Sequence, residues 1–350
     1  MIKEKRKNYI DGLKCLAIFI IFEAHFAAYF ESDSIRFWSE PTMSFLMRGM
    51  TAKFGVAILA VCLGYFAYES REKNASVYIA RRYFYFFVSG LFINTVIAAL
   101  SYCHIILYDN GLPALSLFVT AKAVLKESLI LGYRIYPTYW CMFDFCVGSI
   151  IAYLNGRDEV KTLGIIVQML LFWLSGRIWV TICLIGCLCR RFLKNRTCVK
   201  ILSIKPIRFV LLLLSIVLAI EEGGDAPNLW NGIRAMMIVL VLEESPLLQK
   251  VLSSRPLALT GKNVLGVFLI HMPVLIIFGG WLFKITSGMR YLPAFVISLM
   301  VSWCITAALT YPISWLLNAV LDQFTKLLKK SLPFFNQPTS IQAGSTEWEQ

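Results

Sequence analysis

The chain has 350 residues, of which 58% are hydrophobic and 16% charged, and its mean hydropathy is +0.67. Ordinary soluble domains contain roughly 45–50% apolar and about 25% charged residues. This composition excludes a soluble globular enzyme, a disordered protein and a coiled coil, and it indicates an all-α polytopic membrane protein.

The charged residues carry a formal net charge of +13. The basic ones cluster between apolar runs, as at Lys3–Lys7 and Arg190–Arg196, a pattern typical of loops held on the cytoplasmic side of a membrane. Because no recognition motif accompanies the charge, we predict no nucleic-acid partner. The ten cysteines lie mostly in apolar runs without metal-ligand spacing, so we predict no metal site.

Apolar runs along the chain predict about ten membrane spans, since one crossing needs about 20 mostly apolar residues. In chain order these runs are Leu13–Tyr29, Val56–Tyr68, Tyr83–Tyr102, Leu117–Leu131, Tyr139–Leu154, Leu163–Leu188, Phe209–Ile220, Ile233–Leu242, Val264–Phe283 and Leu292–Leu316. The sixth run can also be two short spans broken at Ser175-Gly176-Arg177.

Loop charges decide between these two topologies. With a cytoplasmic N-terminus and one span over Leu163–Leu188, the basic segments Arg71–Arg82, Arg190–Arg208 and Lys326–Lys330 all fall in the cytoplasm. We therefore predict a single sixth span and two cytoplasmic termini. The sequons at Asn74 and Asn195 then stay unglycosylated. We assign residues 1–335 to one transmembrane domain and 336–350 to a disordered polar tail.

Ionisable groups within membrane spans are costly, which makes them functional candidates. They are Glu23, His25, Lys122, Lys126, Glu127, Asp144, Arg177, Arg234 and His271. Lys126 and Asp144 are a possible ion pair across helices.

The first span carries a titratable face. Lys14 and His25 are eleven residues apart, close to three helical turns, and Asp11 precedes Lys14 by one turn. Such a face suits a cationic anchor for an anionic ligand, with a general base deeper in the membrane. The competing interpretation is a structural one, in which interhelical hydrogen bonds satisfy His25 and Lys14 snorkels.

Several segments carry a family resemblance. Asp11-Gly-Leu-Lys14 with His25-Phe26 resembles the first helix of the membrane acyltransferase-3 family, in which ten residues separate an arginine from a histidine. Phe54-Gly55-Val56 to Leu63-Gly64-Tyr65 and the basic turn ending in Arg81-Arg82 are similar to the family's next two helices. The other similar segments are Tyr139-Trp140 to Gly148-Ser149, typical of the fungal branch, the late helix with His271-Met-Pro273, and Asn318–Asp322.

The resemblance implies transfer of an acyl group, with acetyl from acetyl-CoA favoured, to a hydroxyl of a carbohydrate, lipid or secondary metabolite. It implies that His25 is the general base, that Lys14 binds the anionic part of the donor or stabilises charge, and that Asp11 positions Lys14. Other implied roles are donor binding by Arg81 and Arg82, and substrate binding by Trp140, Asp144 and His271. Acyl-CoA is then a substrate, and no resident cofactor is expected.

The sequence departs from the family at a few positions. Lys14 stands in place of the arginine and loses its bidentate fork. Leu63 replaces a serine, and the acid usual in the tryptophan-led segment is absent at Phe145, with Asp144 beside it. The alternatives to an enzyme are a non-catalytic relative, a small-solute transporter that uses the same polar face, and a structural scaffold.

Overall fold

The protein is an all-α helical bundle. The computed structural model describes residues 8–31, 52–70, 72–103, 117–132, 134–136, 140–221, 229–286, 288–289 and 291–331. Within these ranges every regular element is helical. The basic segment Lys3–Lys7, the acidic loop between residues 222 and 228, His104 and the predicted tail 336–350 lie outside the described residues.

Ten of the helices correspond to the predicted apolar runs or to parts of them. They are α1 (Asn8–Glu31), α2 (Ala52–Tyr68), α3 (Ala75–Tyr102), α4 (Leu117–Leu129), α5 (Met142–Arg157), α6 (Thr162–Leu174), α7 (Ile178–Lys194), α9 (Lys205–Glu221), α10 (Leu229–Glu243) and α13 (Val264–Val274). A π-helical turn (Leu275–Gly279), α14 (Gly280–Thr286) and the long α15 (Tyr291–Ser331) complete the late runs. Three short helices were not predicted, namely α8 (Arg196–Ser203), α11 (Pro246–Leu252) and α12 (Arg255–Lys262).

Two of the described helices, α3 and the Pro293–Ser331 part of α15, are long and apolar enough to cross a membrane. The pair formed by α12 and the helix over Val264–Gly279 is a third if it counts as one span, although its two halves meet at an 84° bend. Two further apolar helices, α2 and α6, are shorter. The predicted number of ten full spans therefore stays a prediction.

The prediction of one continuous span over Leu163–Leu188 is wrong. α6 ends at Leu174 and α7 begins at Ile178, and the two helices form an antiparallel hairpin in which Thr181 Oγ1 lies 3.3 Å from the Met169 carbonyl oxygen. Gly176 turns the chain with a φ of +76°, a conformation that glycine adopts without steric cost. The amides of Gly176 and Arg177 donate back to Trp173 and Phe172, which is a Schellman ending.

The helices α4 and α5 both run antiparallel to α3. At the α4 contact, Tyr102 pairs with Thr120 at 2.8 Å and the Tyr83 hydroxyl donates to the Leu129 carbonyl. At the α5 contact, Tyr78 stacks on Tyr153 with ring centroids 3.9 Å apart. α4 and α5 therefore run in the same direction as each other, opposite to that of α3. The α6–α7 turn adds one reversal of chain direction that the sequence did not predict, and the α4–α5 pair removes one. The two differences cancel in the direction of the helices that follow.

Several helix ends meet at one side of the bundle, which we term the basal face. It comprises the start of α1 at Asn8, the start of α3 at Ala75, and the ends of α2, α7 and α15. Ion pairs join these ends: Arg190 with Glu69, Arg81 with Asp322 at 3.8 Å, and Lys329 with Glu72 at 3.3 Å. The described parts of the predicted cytoplasmic basic segments thus share one face.

Candidate functional site

The polar face of α1 begins with an ion pair near the basal face. Lys14 Nζ lies 2.6 Å from Asp11 Oδ1, and both side chains are largely buried. The spacing of three residues along a helix brings the two groups together, as the sequence predicts. Lys14 Nζ also lies 5.4 Å from the centroid of the Phe66 ring on α2, within the range of a cation–π interaction.

Lys14 lines an inner cavity of about 250 Å³ enclosed by α1, α2, α3, α5 and the α12–α13 bend. Two more cations line it, Arg82 from α3 and Lys262 from the end of α12. Most of the remaining wall is apolar or aromatic: Leu59, Leu63, Phe66, Tyr85, Phe86, Met142, Phe145, Val264, Leu265 and Phe268. Among the described lining residues none is acidic, so the cavity favours an anionic ligand with an apolar portion.

The sequence reasoning missed Lys262. Its basic side chain belongs to a short helix that carries too few apolar residues to be predicted as a span. Gly261 packs so closely on the Asp11 carbonyl that a Cβ would overlap it, and this contact brings the end of α12 against α1. The sequence signal was the Gly-Lys pair just before the late helix, but it does not reveal the bend.

An outer cavity of about 300 Å³ opens beside the inner one. The two share three lining residues, Phe66, Arg82 and Tyr85. Arg81 lines the outer cavity together with Ser70, Glu72 and Leu321. These residues show that the outer cavity lies at the basal face. Arg82 is held by Tyr78, whose hydroxyl accepts from the guanidinium at 3.3 Å. The two predicted donor-binding arginines thus belong to one cleft that leads from the basal face to Lys14.

His25 lies farther along α1, next to His271 of α13. Their ring centroids are 5.3 Å apart and the rings are tilted by 36°. His271 is fully buried, and its Nδ1 lies 2.7 Å from the carbonyl oxygen of Phe268. Phe268 also lines the inner cavity, and its ring centroid is 5.6 Å from that of His271. The histidine pair therefore lies directly behind the cavity wall.

Asp144 and Trp140 are not brought into this cleft. Asp144 Oδ1 lies 3.2 Å from Arg177 Nη1 at the α6–α7 turn, so the pairing with Lys126 that the sequence offered is wrong. Trp140 packs edge-on against Trp179 with ring centroids 5.2 Å apart. Neither Asp144 nor Trp140 is among the described residues that line the two cavities.

The sequence profile of one protein family, described as an acyltransferase domain (acyltransferase-3), matches residues 7–319. No curated protein and no solved structure shows significant similarity to the chain. The matched region contains the histidine pair, the inner cavity and the lining residues of the outer cavity other than Leu321.

Proposed function

Because the chain belongs to the acyltransferase-3 family, we infer that it is a membrane acyltransferase, and we propose its reaction. The protein moves an acyl group, preferentially acetyl, from acyl-CoA to a hydroxyl of a carbohydrate, lipid or secondary metabolite. One observation carries the proposal: a cation-lined cleft runs from the basal face to a wall behind which two histidines meet.

The cleft suits the chemistry of an acyl-CoA. Its outer part offers Arg81 and Arg82, and its inner part offers Lys14 and Lys262, all of which can bind phosphate oxygens. The apolar and aromatic wall of the inner cavity suits the uncharged pantetheine arm. Eleven residues of helix separate Lys14 from His25, a rise of about 16 Å. An extended pantetheine arm has a similar length, so phosphates near Lys14 allow the thioester to reach His25.

The proposed chemistry uses His25 as the general base. A neutral imidazole nitrogen takes the proton of the acceptor hydroxyl as the oxygen attacks the thioester carbonyl. The new carbon–oxygen bond forms, the carbon–sulfur bond breaks, and the imidazolium returns its proton to the leaving thiolate. Lys14 holds the donor while Asp11, at 2.6 Å, fixes the ammonium. Arg82 supplies the bidentate guanidinium that Lys14 lacks.

We further propose that the basal face is cytoplasmic and that both termini lie on that side. Its basic residues on α3, α7 and α15 agree with the usual distribution of Lys and Arg in membrane proteins. Acyl-CoA then enters from the cytoplasm, and His25 lies deeper in the bilayer. The number of spans and the fungal branch of the family remain predictions, without the single crossing over Leu163–Leu188 that the hairpin of α6 and α7 replaces.

The test is acyl transfer by the purified protein in lipid nanodiscs, followed as release of free CoA with and without candidate hydroxyl acceptors. His25→Ala should abolish CoA release and leave folding, measured by thermal unfolding, intact. His104→Ala serves as the control that removes the third histidine of the chain. Full activity of the His25→Ala protein would refute the proposed mechanism. Loss of an ester of defined mass in a deletion strain would identify the acceptor.

A non-catalytic relative, a transporter or a scaffold gives a different outcome. Each would release no CoA from acyl-CoA under any acceptor condition. A transporter would in addition move a solute across the membrane of a sealed proteoliposome, whereas a scaffold would tolerate changes at both Lys14 and His25.

A further inference from the structure

The tautomer of His271 follows from its hydrogen bond. Its Nδ1 lies 2.7 Å from the Phe268 carbonyl oxygen, and a carbonyl oxygen can only accept. Nδ1 therefore carries the proton. In a neutral ring the other nitrogen, Nε2, is then an acceptor with a free lone pair.

The Nε2 acceptor has no hydrogen-bond partner among the described residues, and its ring is fully buried. Buried acceptors are nearly always satisfied, and one without a protein partner calls for an explanation such as a catalytic role or a bound water. The helix also loses its regularity just beyond this ring. Pro273 lies within α13, and the π-helical turn Leu275–Gly279 follows. π-helical turns occur frequently at functional sites.

His25 is the side chain placed to donate. Each imidazole nitrogen lies a little over an ångström from the ring centroid, so centroids 5.3 Å apart allow an N–H···N contact of about 3 Å. The two rings are not hydrogen-bonded in the described structure, so the contact requires the His25 ring to turn from its present position. His25 is partly exposed, whereas His271 is fully buried.

We propose that His271 is a positioning residue for His25. Its Nε2 accepts the N–H of His25, which fixes one tautomer and orientation and leaves the second His25 nitrogen as the lone pair that faces the acceptor hydroxyl. This inference rests on the proposed function. It gives His271 a different role from the substrate contact predicted from the sequence, since His271 acts through His25 and touches no reacting atom.

The test compares two substitutions of similar volume. His271→Met removes the acceptor, whereas His271→Gln keeps an acceptor oxygen near the place of Nε2. We expect His271→Met to lower kcat about 100-fold, in line with the loss of an oriented general base, with an unchanged KM for acyl-CoA. His271→Gln should recover at least a tenth of the wild-type kcat. Equal kcat values for the Met and wild-type proteins would overturn the proposal.

A spectroscopic measurement is independent of catalysis. The chain has only three histidines, so ¹⁵N-histidine labelling gives a spectrum that is assignable with the His104→Ala protein. We expect His25 to show one tautomer in the wild type and in His271→Gln, and a mixture of two in His271→Met. Identical His25 signals in all three proteins would overturn the role of His271. An active His25→Ala protein would instead overturn the proposed function itself, so the two failures are distinguishable.

Discussion

Gly261 lies directly against the carbonyl of Asp11, with no room between them for a Cβ atom. This contact between α12 and α1 brings Lys262 to the cavity that Lys14 lines. The same contact fixes the part of α1 that carries the ion pair between Asp11 and Lys14. One glycine therefore controls the separation of two cations that we assign to the donor.

Gly261→Ala should destabilise the protein and weaken donor binding. The new methyl group overlaps backbone atoms, which cannot rotate away, so α12 must shift at a cost of about 1–3 kcal/mol. Gly288→Ala is the matched control, because a Cβ there meets nothing within 4 Å. Thermal unfolding and the KM for acyl-CoA measure the two effects. Equal values for the two alanine variants would refute the proposed contact.

Lys262→Gln should raise the KM for acyl-CoA about tenfold and leave kcat nearly unchanged. A hydrogen bond to a charged group contributes about 1.5–3 kcal/mol, and the lower end applies because the Lys262 side chain is exposed. The effect should shrink at high salt, as expected for a screened charge. Lys250→Gln removes an exposed lysine that lines neither cavity, and it serves as the control. A tenfold change in both variants would contradict a specific role for Lys262.

Lys14→Arg should keep most of the activity, whereas Lys14→Gln should lose it. An arginine at this position restores the bidentate group of the family and retains the charge that Asp11 needs. The glutamine variant leaves the buried Asp11 carboxylate without its cation, which is costly in a buried pair. The double variant Lys14→Gln, Asp11→Asn should therefore recover thermal stability without recovering kcat. Recovery of both would assign the pair a purely structural role.

Asp144 and Arg177 should behave as a structural pair. Exchange of the two charges, Asp144→Arg with Arg177→Asp, should restore the thermal stability that either single change reduces, because the pair joins α5 to the α6–α7 turn. The KM for acyl-CoA should stay within about twofold, since neither residue lines the cleft. A charge exchange that is stable but has lost transfer to the hydroxyl acceptor would instead support the substrate-binding role predicted for Asp144.

Cys103 and Cys198 report the topology. Cys103 is exposed at the end of α3 away from the basal face, and Cys198 is on α8, which follows the basal end of α7. A membrane-impermeant maleimide should label them from opposite sides of sealed vesicles. Cys103→Ser and Cys198→Ser assign the two signals. Labelling of both from the same side would contradict the proposed orientation, as would glycosylation at Asn74 or Asn195.

The helices were largely predictable because long apolar runs determine them. The boundaries of α1, α3 and α4 extend or shorten the predicted runs by only a few residues at most ends. One exception is the turn at Gly176, where loop charges outweighed a local Ser-Gly-Arg signal. The charge argument assumed that each apolar run crosses the membrane once, an assumption that the shared direction of α4 and α5 removes.

The candidate site was predictable only along single helices. The pairing of Asp11 with Lys14 follows from helical periodicity and is confirmed. The meeting of His25 with His271 and the arrival of Lys262 depend on how α12 and α13 pack against α1, and no spacing within one helix encodes that distance. Asp144 illustrates the same limit, since its partner Arg177 lies on a turn that the sequence reasoning merged into one helix.

The sharing of Arg82 between the two cavities has a consequence for hydration. In the proposed binding mode the phosphates reach no farther than the cations that line the cleft, and the uncharged arm alone continues toward His25. Moving an ion into a medium of low dielectric costs several kcal/mol even after relaxation, whereas an apolar or hydrogen-bonded arm carries a far smaller penalty. The donor that we propose would thus keep its charges paired with the cations of the cleft, while its uncharged arm alone carries the thioester toward His25.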